Sequence, residues 1–154
     1  MRFPTVLPQW PLVNMPEYQW LWRCDRVIPS DTAAGRPILE ELLAEMHARQ
    51  WVEHDIFSVR LAAEEALVNA IIHGNRLDAE KQVRICCRIA PELVRIEVTD
   101  EGEGFNPANI PDPTNPERIE YPRGRGVMLM RTFMSRVEYS DSGKSVLMEK
   151  RRIR

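Results

Sequence analysis

Glu65 and Asn69 stand four positions apart in a stretch of helical period, so a carboxylate and a carboxamide share one face, one turn apart. That pair has the oxygen donors for Mg²⁺ and a group able to activate a water or a hydroxyl. Further along, Asp100-Glu101-Gly102-Glu103-Gly104 follows an alternating segment and sets an acceptor carboxylate beside two flexible glycines. Gly124-Arg125-Gly126 then opens an apolar helical pattern, where unpaired backbone N–H groups and the positive helix end favour phosphate oxygens. Each segment alone has a plainer reading: a solvated helix flank, an acidic turn, a pair of hinge glycines. In this order and together they read as an ATP site.

The elements that must position these residues follow from periodicity. A strand is expected over about 18–28, with Tyr18, Trp20, Trp22 and Cys24 on one face. Ser30 or Asp31 is expected to cap a helix running to about residue 50, with Ile38, Leu39, Leu42, Leu43 and Met46 as its buried stripe. A second helix, about 54–73, sets Phe57, Leu61, Val68, Ile71 and Ile72 in an apolar arc flanked by Glu65, Asn69, His73 and Arg76. Glu64 falls inside that arc and reads as a structural residue paired with Arg60, while Gly74 and Asn75 suit a left-handed helix end. His73 reads as a structural residue at that end, and Ser145 as a strand residue.

Strands are expected over 83–89 and 93–99, with Val83, Ile85, Cys87 and Ile89 facing one way and Val94, Ile96 and Val98 matching them. Residues 105–123 carry Pro107, Pro111, Pro113, Pro116 and Pro122 without a usable period, as a lid or binding loop would. Helix resumes at Gly126 to about residue 134, with Met128, Leu129, Met130, Phe133 and Met134 as core. A hairpin over 136–140 and 144–150 closes the chain. This order implies an α+β fold, a two-layer α/β sandwich with helices on one face of a mixed, mostly antiparallel sheet.

At 154 residues, 44% apolar and 29% charged, the chain has room for one domain with a real core. We divide it into a proline- and tryptophan-rich arm, 1–22, and an ATP-binding domain, 23–154, with the lid at about 105–125. Pro4, Pro8, Pro11 and Pro16 deny the arm a regular helix. A net charge of −2 leaves no electrostatic footprint for nucleic acid, and the basic Lys150-Arg151-Arg152-Ile153-Arg154 end reads as a solvated tail. No apolar run approaches membrane-spanning length and prolines interrupt the opening residues, so a cytoplasmic protein with no membrane partner is expected. Three cysteines, two of them adjacent, support neither disulfides nor a metal cluster.

With these residues placed, the chain resembles the ATP-binding domain shared by DNA gyrase, Hsp90, histidine kinases and MutL, the Bergerat type. Within it the chain looks most like the stand-alone anti-sigma factor serine kinases of bacteria. The likeness covers about 27–150 and rests on Glu64-Glu65-Ala66-Leu67-Val68-Asn69-Ala70-Ile71-Ile72-His73-Gly74-Asn75, on Asp100-Glu101-Gly102-Glu103-Gly104-Phe105 and on Gly124-Arg125-Gly126-Val127-Met128-Leu129-Met130. It implies that Asn69 ligates Mg²⁺, that Glu65 is the general base, and that Asp100 accepts from the adenine amino group. Gly102 and Gly104 would let the backbone pass close to ATP, and Gly124 and Gly126 would offer amides to the phosphates. Arg125, like Arg123, either meets the γ-phosphate or solubilises the lid.

The implied chemistry is in-line phosphoryl transfer to a serine or threonine of a small anti-sigma factor antagonist protein. A sigma factor is the second implied partner, and homodimerisation is expected. The arm is longer than the family's minimal domain and reads as a dimer element, a partner site or a decoration. Two alternatives stand beside the kinase: a non-catalytic ATP-binding module whose lid gates partner binding, and a domain serving an unrelated regulatory partner.

Overall fold

A computed structural model of the chain describes residues 18–104, 122–140 and 142–153. Most of the arm and the proline-rich stretch 105–121, where most of the lid was expected, lie outside the described residues. The elements run β1 (Trp22–Pro29), α1 (Arg36–Ala48), α2 (Glu53–Val68), β2 (Gln82–Ala90), β3 (Leu93–Thr99), α3 (Pro122–Phe133), β4 (Arg136–Tyr139) and β5 (Ser145–Arg151). The five strands form one sheet in the order β1-β2-β3-β5-β4, and every pairing is antiparallel. The expected α+β sandwich is what the chain adopts, and among the described residues its sheet contains no parallel pair.

Period-two alternation decides the inner face. Cys24 and Ile28 of β1, Val83, Ile85, Cys87 and Ile89 of β2, Val94, Ile96 and Val98 of β3, and Val146 and Met148 of β5 share one core with the helices. The α1 stripe is as expected, with all five apolar residues buried. Its start is not: Ser30 donates to the Lys81 carbonyl and Asp31 accepts from the Ala33 amide, so neither caps the helix. The helix opens at Arg36, because Pro37 suits a first turn whose amide would go unpaired in any case.

The face that α2 buries differs from the one expected. Phe57 is 54% exposed and Val68 is exposed too, while Ile56, Val59, Ala62, Ala63, Ala66 and Leu67 pack inward. Three small alanines let α2 approach the sheet closely, and that proximity outweighs the larger apolar side chains on its outer side. Glu64, in turn, is exposed rather than embedded. Beyond Val68 the helix widens into a π-turn, Asn69–Gly74, in which the Asn75 amide donates to Ala70, five residues back. The left-handed residues that end it are Arg76 and Leu77, not Gly74 or Asn75.

β1 is shorter than expected. Tyr18 and Trp20 precede it and turn over the opposite face of the sheet, where their rings lie against Arg95. In α3, Val127, Met130 and Met134 at its end are buried, whereas Met128 is exposed. The basic end is not a free tail either. Lys150 donates to the Phe133 carbonyl, Arg152 clasps the carbonyls of Arg49 and Pro91 with its guanidinium 4.8 Å from the Trp51 ring, and the Ile153 amide donates to Asp55. Those contacts close the sheet onto the start of α2.

Candidate functional site

The C-terminal half of α2 brings Glu65, half-buried, and Asn69, buried, to the side of the sheet where β3 ends. There the buried Asp100 takes the Gly102 amide onto Oδ1 at 2.8 Å, and its own amide donates to the Lys144 carbonyl at 2.9 Å. Between these walls lies a cavity of about 20 Å³ lined by Ala66, Asn69, Asp100, Tyr139, Lys144 and Ser145 among others. Ser145, a strand residue as expected, also forms part of this wall and shares a 2.8 Å hydrogen bond with Thr99.

Glycines at the site are places of close approach. A Cβ on Gly74 would stand 2.5 Å from the Asp100 carboxyl, and one on Gly102 would overlap the Gly74 carbonyl oxygen. Gly104, at φ +78°, takes the left-handed turn that returns the chain against Ser142. The two short segments singled out in the sequence therefore pack through their glycines, which lets a buried carboxylate sit directly beside the end of the α2 turn.

A residue that sequence reasoning assigned only to a helix end holds this arrangement. Asn75 is fully buried, donating to the Ser30 hydroxyl at 3.0 Å and the Gln82 carbonyl at 2.9 Å while accepting from the Glu101 amide at 2.8 Å. Glu101 in turn accepts from the Gln82 amide at 2.7 Å. One side chain thus ties the end of the α2 turn, the entry to β2 and the loop carrying Asp100. The signal available in the sequence was only its place directly after His73-Gly74.

Gly126 completes the site from the other side. Helix α3 begins at Pro122, four residues before the expected start, so Gly126 lies in its second turn and Gly124 and Arg125 in its first. Gly126 is buried against the pair on α2: a Cβ there would lie 2.7 Å from Asn69 Nδ2 and 3.2 Å from Glu65 Oε2. Glu65, Asn69, Asp100, Gly102 and Gly126 thus converge, with Gly104 at the edge. A larger hollow of about 630 Å³ lies between α1 and α2, walled by Leu39, Leu43, Leu67 and Ile71 with Arg60 and Glu64 at its rim. It contains none of these convergent polar groups, so chemistry and size point to different places, and chemistry identifies the site.

The residues fit a magnesium nucleotide. Asn69 Nδ2 is buried with no hydrogen-bond partner, a state that costs free energy until a polar ligand supplies one. Among the described residues no three His, Cys, Asp or Glu side chains converge to hold a metal ion. Mg²⁺ at this site would rest on Asn69 plus phosphate and water oxygens, the usual arrangement for that ion with nucleotides. The cavity itself holds about one water molecule's worth of space. An adenine nucleotide needs far more room than that, and α3 lies against Asn69 and Glu65 through Gly126.

Comparison with known proteins gives the family and the fold. Residues 28–150 match the family model described as a histidine kinase-like ATPase domain. The chain is 35% identical over 102 residues to the anti-sigma F factor of Clostridium perfringens, covering 63% of this chain and 73% of that protein. It is likewise 35% identical over 102 residues to the anti-sigma F factor of Clostridium acetobutylicum, covering 71% of that protein. A crystal structure of the RsbU and RsbW domains of Rv1364c from Mycobacterium tuberculosis superposes with a TM-score of 0.57 at 15% identity, over 84% of this chain and 32% of that one. That likeness is one of fold.

Proposed function

This chain belongs to the histidine kinase-like ATPase domain family, related to the anti-sigma F factors, and from that premise we propose that it is an ATP- and Mg²⁺-dependent serine/threonine protein kinase acting as an anti-sigma factor. Its substrate is a hydroxyl on a small antagonist protein and its second partner is a sigma factor, held by a homodimer in the cytoplasm. The observation that carries the reading is the buried, unpartnered amide of Asn69, one turn from Glu65 and across a small cavity from the buried Asp100. Bound magnesium would supply charge neutralisation at the phosphates.

The protein's own residues do the rest. Asp100, already fixed by the Gly102 amide, presents its carboxylate as an acceptor for an adenine amino group. Asn69 orients the metal's ligand sphere and Glu65 takes the proton from the attacking hydroxyl. Gly102 and Gly104 keep the nucleotide's path clear of side chains; Gly124, in the first turn of α3, offers an amide and Arg125 a charge to the phosphate side, while Gly126, whose own amide is taken up inside the helix, serves by having no side chain against Asn69.

Calorimetric titration with a non-hydrolysable ATP analogue, with and without Mg²⁺, tests the nucleotide site. Asp100→Asn should weaken binding about tenfold, equivalent to about 1.4 kcal/mol. Transfer of labelled phosphate to a purified anti-sigma factor antagonist should vanish in Glu65→Ala while nucleotide binding persists. Retained transfer in that variant would remove Glu65 from its role.

A second reading draws on the packing of Gly126 against Asn69. If nucleotide displaces Gly126 from Asn69, binding alone changes the surface that α3 presents to a partner, and the same site would serve a nucleotide-gated module without transfer. A partner complex that needs ATP and yields no phosphoprotein would favour it.

A further inference from the structure

The two edges of the sheet differ. β4 offers four residues, whereas β1 offers eight and pairs, among the described residues, only with β2. A strand of that length with one side unpaired is a template for another strand. Its side chains are open as well: Arg23, Asp25, Arg26 and Val27 are exposed, Val27 by 49%, and Leu21 beside the strand by 47%.

One charge on this edge stands without a counter-ion. The β1–β2 register sets Arg23 directly opposite Arg88, and like charges so placed destabilise the pair of strands. Among the described residues Arg23 makes no ion pair, while Asp25 is clamped by Arg84 and Arg26 reaches Glu41 at 3.9 Å.

A second copy of the chain supplies what is missing. Two β1 strands related by a two-fold axis perpendicular to the sheet run antiparallel and keep both inner faces on one side, and the period of two then requires the axis to fall on a residue. Centred on Arg23, Asp25 or Arg26, the pairing sets two like charges against each other. Centred on Trp22 or Val27, it leaves every charge without a partner. Centred on Cys24, it brings Arg23 opposite Asp25 of the second copy, and by symmetry does so twice. The same register carries Trp22 to Arg26, an aromatic ring to a guanidinium, and Leu21 to Val27, so the exposed apolar residues meet each other.

We infer that two copies of this chain join edge to edge through β1, in the antiparallel register centred on Cys24, into one continuous sheet. The inference rests on the homodimer of the proposed function and names the surface that forms it. Asp25 then lies between Arg84 of its own chain and Arg23 of the second copy, and the opposition of Arg23 to Arg88 is relieved by a carboxylate on the other side.

Sedimentation equilibrium of the full-length chain measures the association. Arg23→Glu should weaken the dimer about tenfold or more, since it sets two carboxylates opposite each other twice, and Asp25→Lys should do the same with cations. In an equimolar mixture of these variants the mixed dimer again pairs unlike charges, and association should return to within about threefold of the native chain. At dilutions where the chain is monomeric the thermal midpoint of Arg23→Glu should not fall, because the change removes a like-charge pair in cis. Val27→Asp, at a position exposed in the single chain, should also weaken the dimer by about threefold or more, so the test stands even if Asp25→Lys fails to fold for loss of its Arg84 clamp. A native dimer that these variants leave intact overturns the interface and keeps the homodimer. A mixture of folded variants that stays dissociated overturns the register, and a native chain that remains monomeric overturns interface and homodimer together.

Discussion

Gly126 of α3 rests directly on the side-chain amide of Asn69, so close that a methyl group there would stand 2.7 Å from Nδ2. The contact joins the helix that follows the expected lid to the residue expected to hold the metal. It also places α3 against Asn69 and Glu65 from one side.

Gly126→Ala should therefore strain the nucleotide-free protein by about 1–3 kcal/mol, the usual range for overpacking a close contact. The thermal midpoint should fall by several degrees. If nucleotide draws α3 away from α2, the loss should shrink when a non-hydrolysable ATP analogue and Mg²⁺ are present. Paired thermal unfolding scans check both halves.

Asn75→Ala should cost about 2–3 kcal/mol, since the Gln82 carbonyl, the Glu101 amide and the Ser30 hydroxyl would lose a buried partner together. Urea denaturation measures the stability. Because Asn75 acts on Asp100 only through the intervening loop, nucleotide affinity should fall as well, and Asn75→Asp, which keeps the acceptor for Glu101, should retain more of it.

Arg95→Met should destabilise by about 3–5 kcal/mol, because it leaves the Glu149 carboxylate buried beside a lost partner. Arg136, 3.2 Å from the other Glu149 oxygen, should soften that loss. Joining Arg95→Met with Glu149→Leu should recover most of it. A double-mutant cycle on denaturation midpoints separates the pair from its neighbours.

Asp25 and Arg84 clamp β1 to β2 through two hydrogen bonds of 3.0 and 2.6 Å. Hydrogen bonding from Arg84 holds the Asp25 carboxyl below the ordinary aspartate range. A depressed carboxylate contributes stability that is fully present above about pH 4 and is lost as pH falls through its lower folded value. The pair is half-exposed, so Asp25→Asn should cost at most about 1 kcal/mol near neutrality. Variant and wild type should converge in denaturant titrations run below that folded value.

Much of the fold was legible in the chain. The α1 stripe and the inward faces of β2 and β3 show clean periods, and their side chains sit where those periods put them. The α2 reading failed because size was weighed over fit: Phe57 and Val68 looked like core, yet the alanine face is the one narrow enough to meet the sheet. Arg152 and Lys150 were read as solvated because charge in a terminal run carries no record of the carbonyls waiting for it.

Sequence by itself determined the chemistry available at the site, since the types and spacing of Glu65, Asn69, Asp100 and the glycines are local facts that survive any tertiary arrangement. Only the tertiary structure decided that Asn75 binds three segments together, that Gly126 lies on Asn69, and that Arg95 pairs with Glu149. Those contacts reach as far as 26 positions, from Asn75 to Glu101, and 57, from Asn69 to Gly126; they are set by how helices and strands pack, and no local period encodes them.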